Sequence, residues 1–143
     1  MQTKVKELMK ADPVIIRGGI SLKEAAEKME SVDCGVLPVG TWDQLEGIIT
    51  DRDIVIRAVA EGVDMSSATV REYMTNEIFF CNENDTLEQA AEAMNKHGVS
   101  RLVVRNSEAE PCAIITFGCI MRKAKDAEEI GKVISCAVKD KVA

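Results

Sequence analysis

An internal repeat constrains the fold of this chain more than any other feature of its sequence. Shifting the sequence by 65 residues places the first half on the second, and a one-residue insertion in a later loop changes the shift to 66. The matches keep their order and spacing from Val5 to Ala58. They include the pairs Val5/Val70, Met9/Met74, Leu22/Leu87, Met29/Met94, Leu37/Leu102, Ile49/Ile115 and Thr50/Thr116. Such a repeat predicts two copies of one supersecondary unit that pack together to share a core.

Each half begins its main helix with the same signal. Ser21 and Thr86 are each followed, three residues later, by Glu24 and Gln89, which is the pattern of a capping box. Small and apolar side chains then recur at helical spacing, so each repeat is predicted to contain one amphipathic helix. The two stripes are Leu22, Ala25, Ala26 and Met29, and Leu87, Ala90, Ala91 and Met94.

Short β-rich runs surround these helices, and a second helix closes each repeat. The runs are residues 14–16, 36–39 and 45–50 in the first half and 78–80, 102–104 and 112–116 in the second. The closing helix Asp51–Glu61 is apolar on nearly every side, so we expect it to be buried on more than one side. Packing within the pair of repeats, a subunit interface, or both would provide that burial.

The order of these elements predicts the fold class and the domain boundaries. We expect an α+β fold of two tandem β-α-β-β-α repeats, related by a pseudo-twofold axis, with small mixed sheets packed against helices. The predicted divisions are repeat 1 (1–62), a linker (63–68), repeat 2 (69–125) and a C-terminal helix or tail (126–143). The tail has no counterpart in the first half.

Composition and charge exclude several functional classes. The formal net charge is −6, which argues against binding a nucleic acid polymer. No apolar run approaches the roughly 18 residues that span a membrane, and the first ten residues lack a signal-peptide pattern. The five cysteines include no C-x-x-C pair, and the chain has one histidine, so we expect structural thiols, no metal site and a cytoplasmic location.

The junction 47–53 is the part of the sequence best suited to binding a ligand. A strand ends there, Thr50 follows, and a helix begins with two aspartates on either side of Arg52. Thr50 and the first helical N–H groups suit an anionic oxygen, Arg52 suits a phosphate, and Asp53 suits a pair of ribose hydroxyls. The alternative, which this spacing leaves open, is that Thr50 or Asp51 only caps the helix.

Both halves resemble cystathionine-β-synthase (CBS) domains, and the chain resembles a stand-alone CBS pair over nearly its whole length. The resemblance rests on the segments 9–14, 37–39, 47–54 and 57–62. It implies a regulatory module, not an enzyme, which binds AMP, ADP, ATP or S-adenosylmethionine in the cleft between the repeats. It implies no obligatory cofactor, and the sequence offers no nucleophile–base pair for catalysis.

The resemblance also implies which residues bind the ligand. Thr50 and Asp53 fill the two positions that contact the nucleotide in this family, with the acid on the ribose, and Arg52 lies at the contact position between them. The base would lie against strand residues on two sides. These base-contacting residues are Val14, Ile15, Val36 and Pro38.

The second half departs from this pattern. Thr116 keeps the hydroxyl, but Cys119 replaces the acid, so the second site is expected to bind a ribonucleotide weakly or to take another ligand. Its candidate residues are Thr116, Gly118 and Arg101. Arg101 is either a phosphate contact or, as is more common for such a residue, a solvated arginine at a strand edge.

Two functions therefore follow from the sequence. The first is ligand sensing at the repeat-1 site, and the second is a dimerising adaptor that binds proteins and has degenerate ligand sites. The family resemblance implies a homodimer in either case, and sensing requires a regulated partner protein.

Overall fold

The computed structural model describes residues 2–138, which form two compact units. The first unit is Pro13–Ile78, and the second combines the described parts of Met1–Asp12 and Phe79–Ala143. Each unit has its own aliphatic core, centred on Leu22, Leu37 and Ile49 in the first and on Leu87 and Ile115 in the second. The predicted mixed α+β fold of two repeats is confirmed.

Helices and short strands alternate along the chain. The helices are α1 (Val5–Leu8), α2 (Leu22–Val32), α3 (Asp51–Asp53, continued by a π-helix over Ile54–Val59), α4 (Val70–Tyr73), α5 (Leu87–His97), α6 (Phe117–Lys123) and α7 (Ala127–Val138). The strands are β1 (Lys10–Ala11), β2 (Val36–Gly40), β3 (Leu45–Thr50), β4 (Phe80–Asn82), β5 (Arg101–Arg105) and β6 (Pro111–Thr116).

The predicted hydroxyl caps begin α2 and α5, and of the two predicted capping boxes the one at Thr86 has both of its hydrogen bonds. The Ser21 hydroxyl accepts a hydrogen bond from the Glu24 amide at 3.1 Å, and the Thr86 hydroxyl accepts one from the Gln89 amide at the same distance. The Gln89 side chain completes its box by accepting the Thr86 amide at 2.8 Å. These bonds satisfy amide groups that a helix start otherwise leaves without partners, which explains why both helices begin where the sequence predicts.

The same strand order recurs in both units. In the second unit the sheet runs β1-β6-β5-β4, with β4 parallel to β5 and the other pairs antiparallel. In the first unit β2 pairs with β3, and single bridges at Ile16 and Thr75 replace the two outer strands. The predicted strand 14–16 is therefore wrong in extent, because only Ile16 pairs, whereas the run 78–80 forms a strand shifted to Phe80–Asn82.

Segments exchanged between the repeats complete both cores. The helix α1 begins the first repeat but belongs to the second unit, and α4 begins the second repeat but belongs to the first unit. Val5 of α1 and Val70 of α4 are both 0% exposed within these cores. The compact units in space therefore differ from the repeats in sequence. Residues 63–68 also pack on the first unit, since the Leu22 and Lys23 amides donate to carbonyls of that segment.

The apolar helix after β3 is buried on one side, which corrects the expectation of burial on several sides. Ile54 and Ala58 lie in the core, but Val55, Ile56 and Val59 are 54%, 53% and 54% exposed. The backbone hydrogen bonds of this segment join residues five apart, as in a π-helix, instead of four apart as in an α-helix. One example is the bond from the Ala60 amide to the Val55 carbonyl at 3.0 Å. An apolar surface is thus left on the outside of the first unit.

The C-terminal helix α7 packs on α5 of the second unit, where Val133 is fully buried. Its Glu129 carboxylate accepts two hydrogen bonds from Thr3, at 2.7 Å from the amide and 2.6 Å from the hydroxyl. The rest of the predicted tail, 139–143, lies outside the described residues. Within the described chain, every helix is too short or too polar to cross a membrane.

The buried thiol of Cys81 provides a test of the second core. Burial raises the pKa of this thiol to about 12, and Asp85 and Cys112 add to the effect. At pH 8 the thiolate fraction should be about 1,000-fold lower than in an unfolded chain, where a cysteine pKa is about 8.5. We expect iodoacetamide to modify Cys81 in native protein at least about 1,000-fold more slowly than in urea, measured by peptide mass spectrometry. Equal rates in the two conditions would contradict this packing.

Candidate functional site

The first unit brings together the residues predicted to bind a ligand. The register of β2 and β3 places Val36 opposite Thr50 and Pro38 opposite Ile48. Thr50 ends β3, and α3 begins at once, carrying Arg52 and Asp53. Val14 and Ile15 are half-buried and lie just before Ile16, which pairs with Val39 beside them. All seven predicted residues therefore lie in one compact unit, at the end of one strand pair and in the segment beside it.

Thr50 and Asp53 cap the start of α3 reciprocally. The Thr50 hydroxyl accepts a hydrogen bond from the Asp53 amide at 3.0 Å, and the Asp53 carboxylate accepts one from the Thr50 amide at 3.1 Å. Both residues are buried, with 4% and 7% of their surfaces exposed. Thr50 therefore caps α3, as one of the two interpretations of the sequence expected, and Asp53 is its partner in the cap.

The Asp53 carboxylate has two further partners within the first unit. The Thr75 hydroxyl lies 3.2 Å from Oδ2 and 3.3 Å from Oδ1, and Arg57 Nε lies 3.8 Å from Oδ1. Arg57 Nη1 donates in turn to the carbonyls of Met74 at 3.1 Å and Tyr73 at 3.3 Å. Asp53 therefore connects the start of α3 to the segment that follows α4.

Sequence reasoning missed Arg57 and Thr75. Arg57 had a usable signal, because it follows Asp53 by four residues, a spacing that places opposite charges side by side on a helix. Thr75 had none, because it comes from the segment exchanged between the repeats. Gly47 makes that approach sterically feasible, since a Cβ atom at this position would collide with the Thr75 carbonyl oxygen.

Asp51 and Arg52 lie on the surface at the same junction. The Asp51 carboxylate accepts the Arg52 amide at 2.8 Å, and the Asp51 amide donates to the Gly35 carbonyl at 2.9 Å. A Cβ on Gly35 would lie 2.6 Å from the Asp51 carboxylate, so that exposed side chain would have to move to admit it. Both charged side chains are exposed, which leaves the Arg52 guanidinium at the surface beside the cap.

The second unit builds the same junction with different chemistry. The register of β5 and β6 places Arg101 opposite Thr116, and the Thr116 hydroxyl accepts the Cys119 amide at 3.0 Å. The Cys119 thiol donates to the Leu8 carbonyl at 3.3 Å. Gly118 lies one residue before Cys119, with Arg122 Nη1 3.2 Å from the position that a Gly118 Cβ would take. The three residues predicted for a second site thus lie around one strand–helix junction.

Both repeats match a known domain family. The model of the CBS domain matches residues 5–59 and 70–126. The chain belongs to the CBS-domain family. The resemblance inferred from its motifs is therefore confirmed, and the two matches cover both repeats but end before α7.

Similar CBS-domain proteins are known from sequence and structure. Hypoxic response protein 1 of Mycobacterium tuberculosis is 34% identical over 121 residues, which cover 84% of each chain. A crystal structure of Hypoxic Response Protein I with two coordinated zinc ions matches 86% of this chain and 100% of its own at 31% identity, with a TM-score of 0.68. The CBS domain pair of protein MJ0100, in complex with 5′-methylthioadenosine and S-adenosyl-L-methionine, matches 85% and 95% at 28% identity, with a TM-score of 0.73.

The zinc ions of one relative raise the question of a metal site in this CBS pair. Among residues 2–138, no three histidine, cysteine, aspartate or glutamate side chains lie close enough together to share a metal ion. A structural zinc site needs four such ligands, and a catalytic site usually has three. The described residues therefore do not fit a zinc site.

The Asp53 cap can be tested by its contribution to stability. Asp53→Ala leaves the buried Thr50 amide without its acceptor and also removes the acceptor of the half-buried Thr75 hydroxyl, so we expect the free energy of unfolding to fall by about 2–3 kcal/mol. The matched change Asp51→Ala removes an exposed carboxylate two residues away and should cost about 0.5–1 kcal/mol. Urea unfolding followed by circular dichroism measures both. Equal losses would show that the Asp53 contacts do not stabilise the junction.

Proposed function

We propose that this CBS pair is a regulatory, non-enzymatic module that senses an adenosyl compound through Thr50, Arg52 and Asp53 of the first unit. The observation that carries the proposal is the buried Asp53 carboxylate at the end of an apolar strand pair. We place the protein in the cytoplasm, because its cysteine spacing follows no disulfide framework.

Asp53 keeps acceptor capacity on one oxygen. Oδ2 accepts the Thr50 amide at 3.1 Å and lies 3.2 Å from the Thr75 hydroxyl, whereas Oδ1 has only the longer contacts to Thr75 at 3.3 Å and Arg57 at 3.8 Å. A hydroxyl that donates to a carboxylate normally lies about 2.5–2.7 Å from the accepting oxygen. A ribose hydroxyl that donates to Oδ1 at that length would gain a stronger bond than either present partner makes.

The neighbouring residues supply a surface for the base. Val36 and Pro38 are buried on β2, and Val14 and Ile15 are half-buried beside that strand. These four side chains are aliphatic, so an adenine ring would lie against them through dispersion and burial of apolar surface. Arg52 lies on the surface beside the cap, where it suits the phosphate of AMP, ADP or ATP.

A structural relative supports the adenosyl class. Both compounds bound to the MJ0100 domain pair, 5′-methylthioadenosine and S-adenosyl-L-methionine, carry a ribose diol and no phosphate. A carboxylate that accepts hydrogen bonds from the ribose diol would contact either of these compounds, and also AMP or ATP, in the same way. The ribose contact is therefore the step on which the proposed recognition depends.

The same contact explains how binding would be transmitted. A ribose hydroxyl on Oδ1 competes with Thr75 and Arg57, and these two residues connect Asp53 to the segment after α4. Occupancy of the site would therefore loosen or shift residues 73–75 relative to α3. A partner protein that contacts this segment would register the change.

Calorimetric titration tests the site. We expect AMP, ATP or S-adenosylmethionine to bind the native protein, and Asp53→Asn to weaken that binding by about 10-fold or more, since a hydrogen bond to a charged group contributes about 1.5–3 kcal/mol. Asp51→Asn neutralises an exposed carboxylate nearby and should change the affinity by no more than about 2-fold. Binding that is equally strong in Asp53→Asn would overturn the assignment of the ribose contact.

A dimerising adaptor is the second candidate function, and one observation favours it. Val55, Ile56 and Val59 are each more than half exposed on the same helical segment. Adjacent exposed aliphatic side chains of this kind mark interaction surfaces, and we propose a second copy of the chain as the occupant.

Changing one of these side chains tests the dimer. Val59→Asp places a charge in the apolar surface, and we expect it to convert dimers to monomers at micromolar concentration, measured by light scattering after size exclusion. Ala26→Asp, at an exposed position of α2, is the matched control and should leave the mass unchanged. A dimer that tolerates Val59→Asp would contradict this surface. A stable dimer whose melting temperature rises with none of the adenosyl ligands would favour the adaptor over the sensor.

A further inference from the structure

We propose that the second unit binds a phosphate group through Arg101, Arg122 and Thr116, and that it recognises neither ribose nor adenine. The proposal rests on the proposed function only in taking the first unit as its reference. Three differences between the two junctions carry it: the acids are lost, arginines are gained, and the residues at the base-contacting positions are changed.

The second junction has lost both acids of the first. At the positions of Asp51 and Asp53 it has Phe117 and Cys119. The Cys119 thiol donates to the Leu8 carbonyl at 3.3 Å, so it acts as a hydrogen-bond donor to the backbone. It cannot accept the two hydrogen bonds of a ribose diol, and it does not repel an anion as a carboxylate would.

Two arginines have been gained at the second junction. Arg101 stands where the first unit has Val36, and the strand register places it opposite Thr116. Arg122 stands where the first unit has Ile56. Its Nη1 atom lies 3.2 Å from the position that a Gly118 Cβ would take, so the guanidinium lies over Gly118.

Gly118 is what allows Arg122 to approach the junction. The first unit has Arg52 at this position, with an exposed side chain directed to solvent. In the second unit the missing side chain leaves room for a guanidinium from one turn further along α6. Arginine binds phosphate oxygens through paired, charge-assisted hydrogen bonds, so the exchange replaces a mixed acid–base junction with a purely cationic one.

The residues that would contact a base have also changed. At the positions of Val14 and Ile15 the second unit has Phe79 and Phe80. The Phe79 ring is stacked on His97 at 4.0 Å between centroids, and the Arg105 guanidinium lies 3.5 Å from the Phe80 centroid. Each ring thus has one face covered by a group of the protein itself. Recognition of the adenine and of the ribose has weakened together, while the hydroxyl that suits a phosphate has been kept.

Amide NMR spectra of the ¹⁵N-labelled full chain can test the site directly. The probes are sodium tripolyphosphate, inorganic phosphate, ATP and adenosine, each at constant ionic strength. We expect tripolyphosphate and ATP to shift the Thr116 and Gly118 amides, and adenosine to leave them unchanged. Shifts with both tripolyphosphate and ATP would show that a polyphosphate is sufficient, whereas shifts with ATP but not with tripolyphosphate would show recognition of the nucleoside and contradict the proposal.

Matched variants separate a built site from general attraction. Arg101→Ala and Arg122→Ala should each weaken tripolyphosphate binding by about 10-fold or more. Lys123→Ala removes the same charge from an adjacent exposed position and should have an effect of no more than about 2-fold. Cys119→Asp restores the acid and should weaken the phosphate response by about 10-fold. Melting curves confirm that each variant is folded.

Two results would overturn the proposal. One is the absence of tripolyphosphate shifts at Thr116 and Gly118 up to millimolar concentration, and the other is an equal loss in Lys123→Ala and Arg101→Ala. Failure of the adenosyl site would be seen separately, as the absence of adenosine shifts at Thr50 and Asp53. The two sites lie in different units and report through different amides, so either can fail while the other stands.

Discussion

The exchange of short segments between the repeats is the constraint on which both cores depend. A repeat of about 60 residues buries too little apolar surface to be stable with a wide margin. Each unit gains a fully buried valine, Val5 or Val70, from the helix that begins the other repeat in sequence. Cutting the chain within 63–68 would therefore separate each repeat from a residue of its own core, even though the sequence there reads as a linker.

The exchanged segments also contact the two strand–helix junctions, and each junction supplies hydrogen-bond donors for the backbone carbonyls of its segment. The carbonyl at the end of α4, on Tyr73, accepts from Arg57, and the matching carboxylate of Asp53 accepts from Thr75. At the end of α1 the equivalent carbonyl, on Leu8, accepts from the Cys119 thiol. Cys119 thus supplies a donor that Arg57 supplies in the first unit. Cys119 therefore replaces a structural hydrogen-bond donor at the junction, and it also removes the acid that would contact a ligand.

Local features of the fold could be read from the sequence, because they depend on residues within one turn of each other. The hydroxyl caps at Ser21 and Thr86 and the strand Leu45–Thr50 are of this kind. The exchange of α1 and α4 could not be predicted from the sequence, because it depends on which of the two cores Val5 and Val70 pack into. For the same reason the cap at Thr50 was foreseen, whereas the contact of Asp53 with Thr75 was not. The identity of a side chain predicted its chemistry, but its partners came from distant sequence.

The internal repeat gives this chain two equivalent strand–helix junctions, at Thr50 and Thr116, and the residues around them differ. On the proposed assignment, the first reads a ribose through a buried carboxylate, and the second reads a phosphate through two guanidinium groups. A carboxylate and a phosphate repel each other, so on this assignment a phosphate is favoured less at the first junction, where Arg52 lies between two aspartates, than at the second, which has neither acid. A module built in this way responds to two chemical features independently, whereas two identical sites would respond twice to one. The divergence at Asp53 and Cys119 is then a division of recognition between the repeats, and the conserved hydroxyls of Thr50 and Thr116 are what the two halves retain in common.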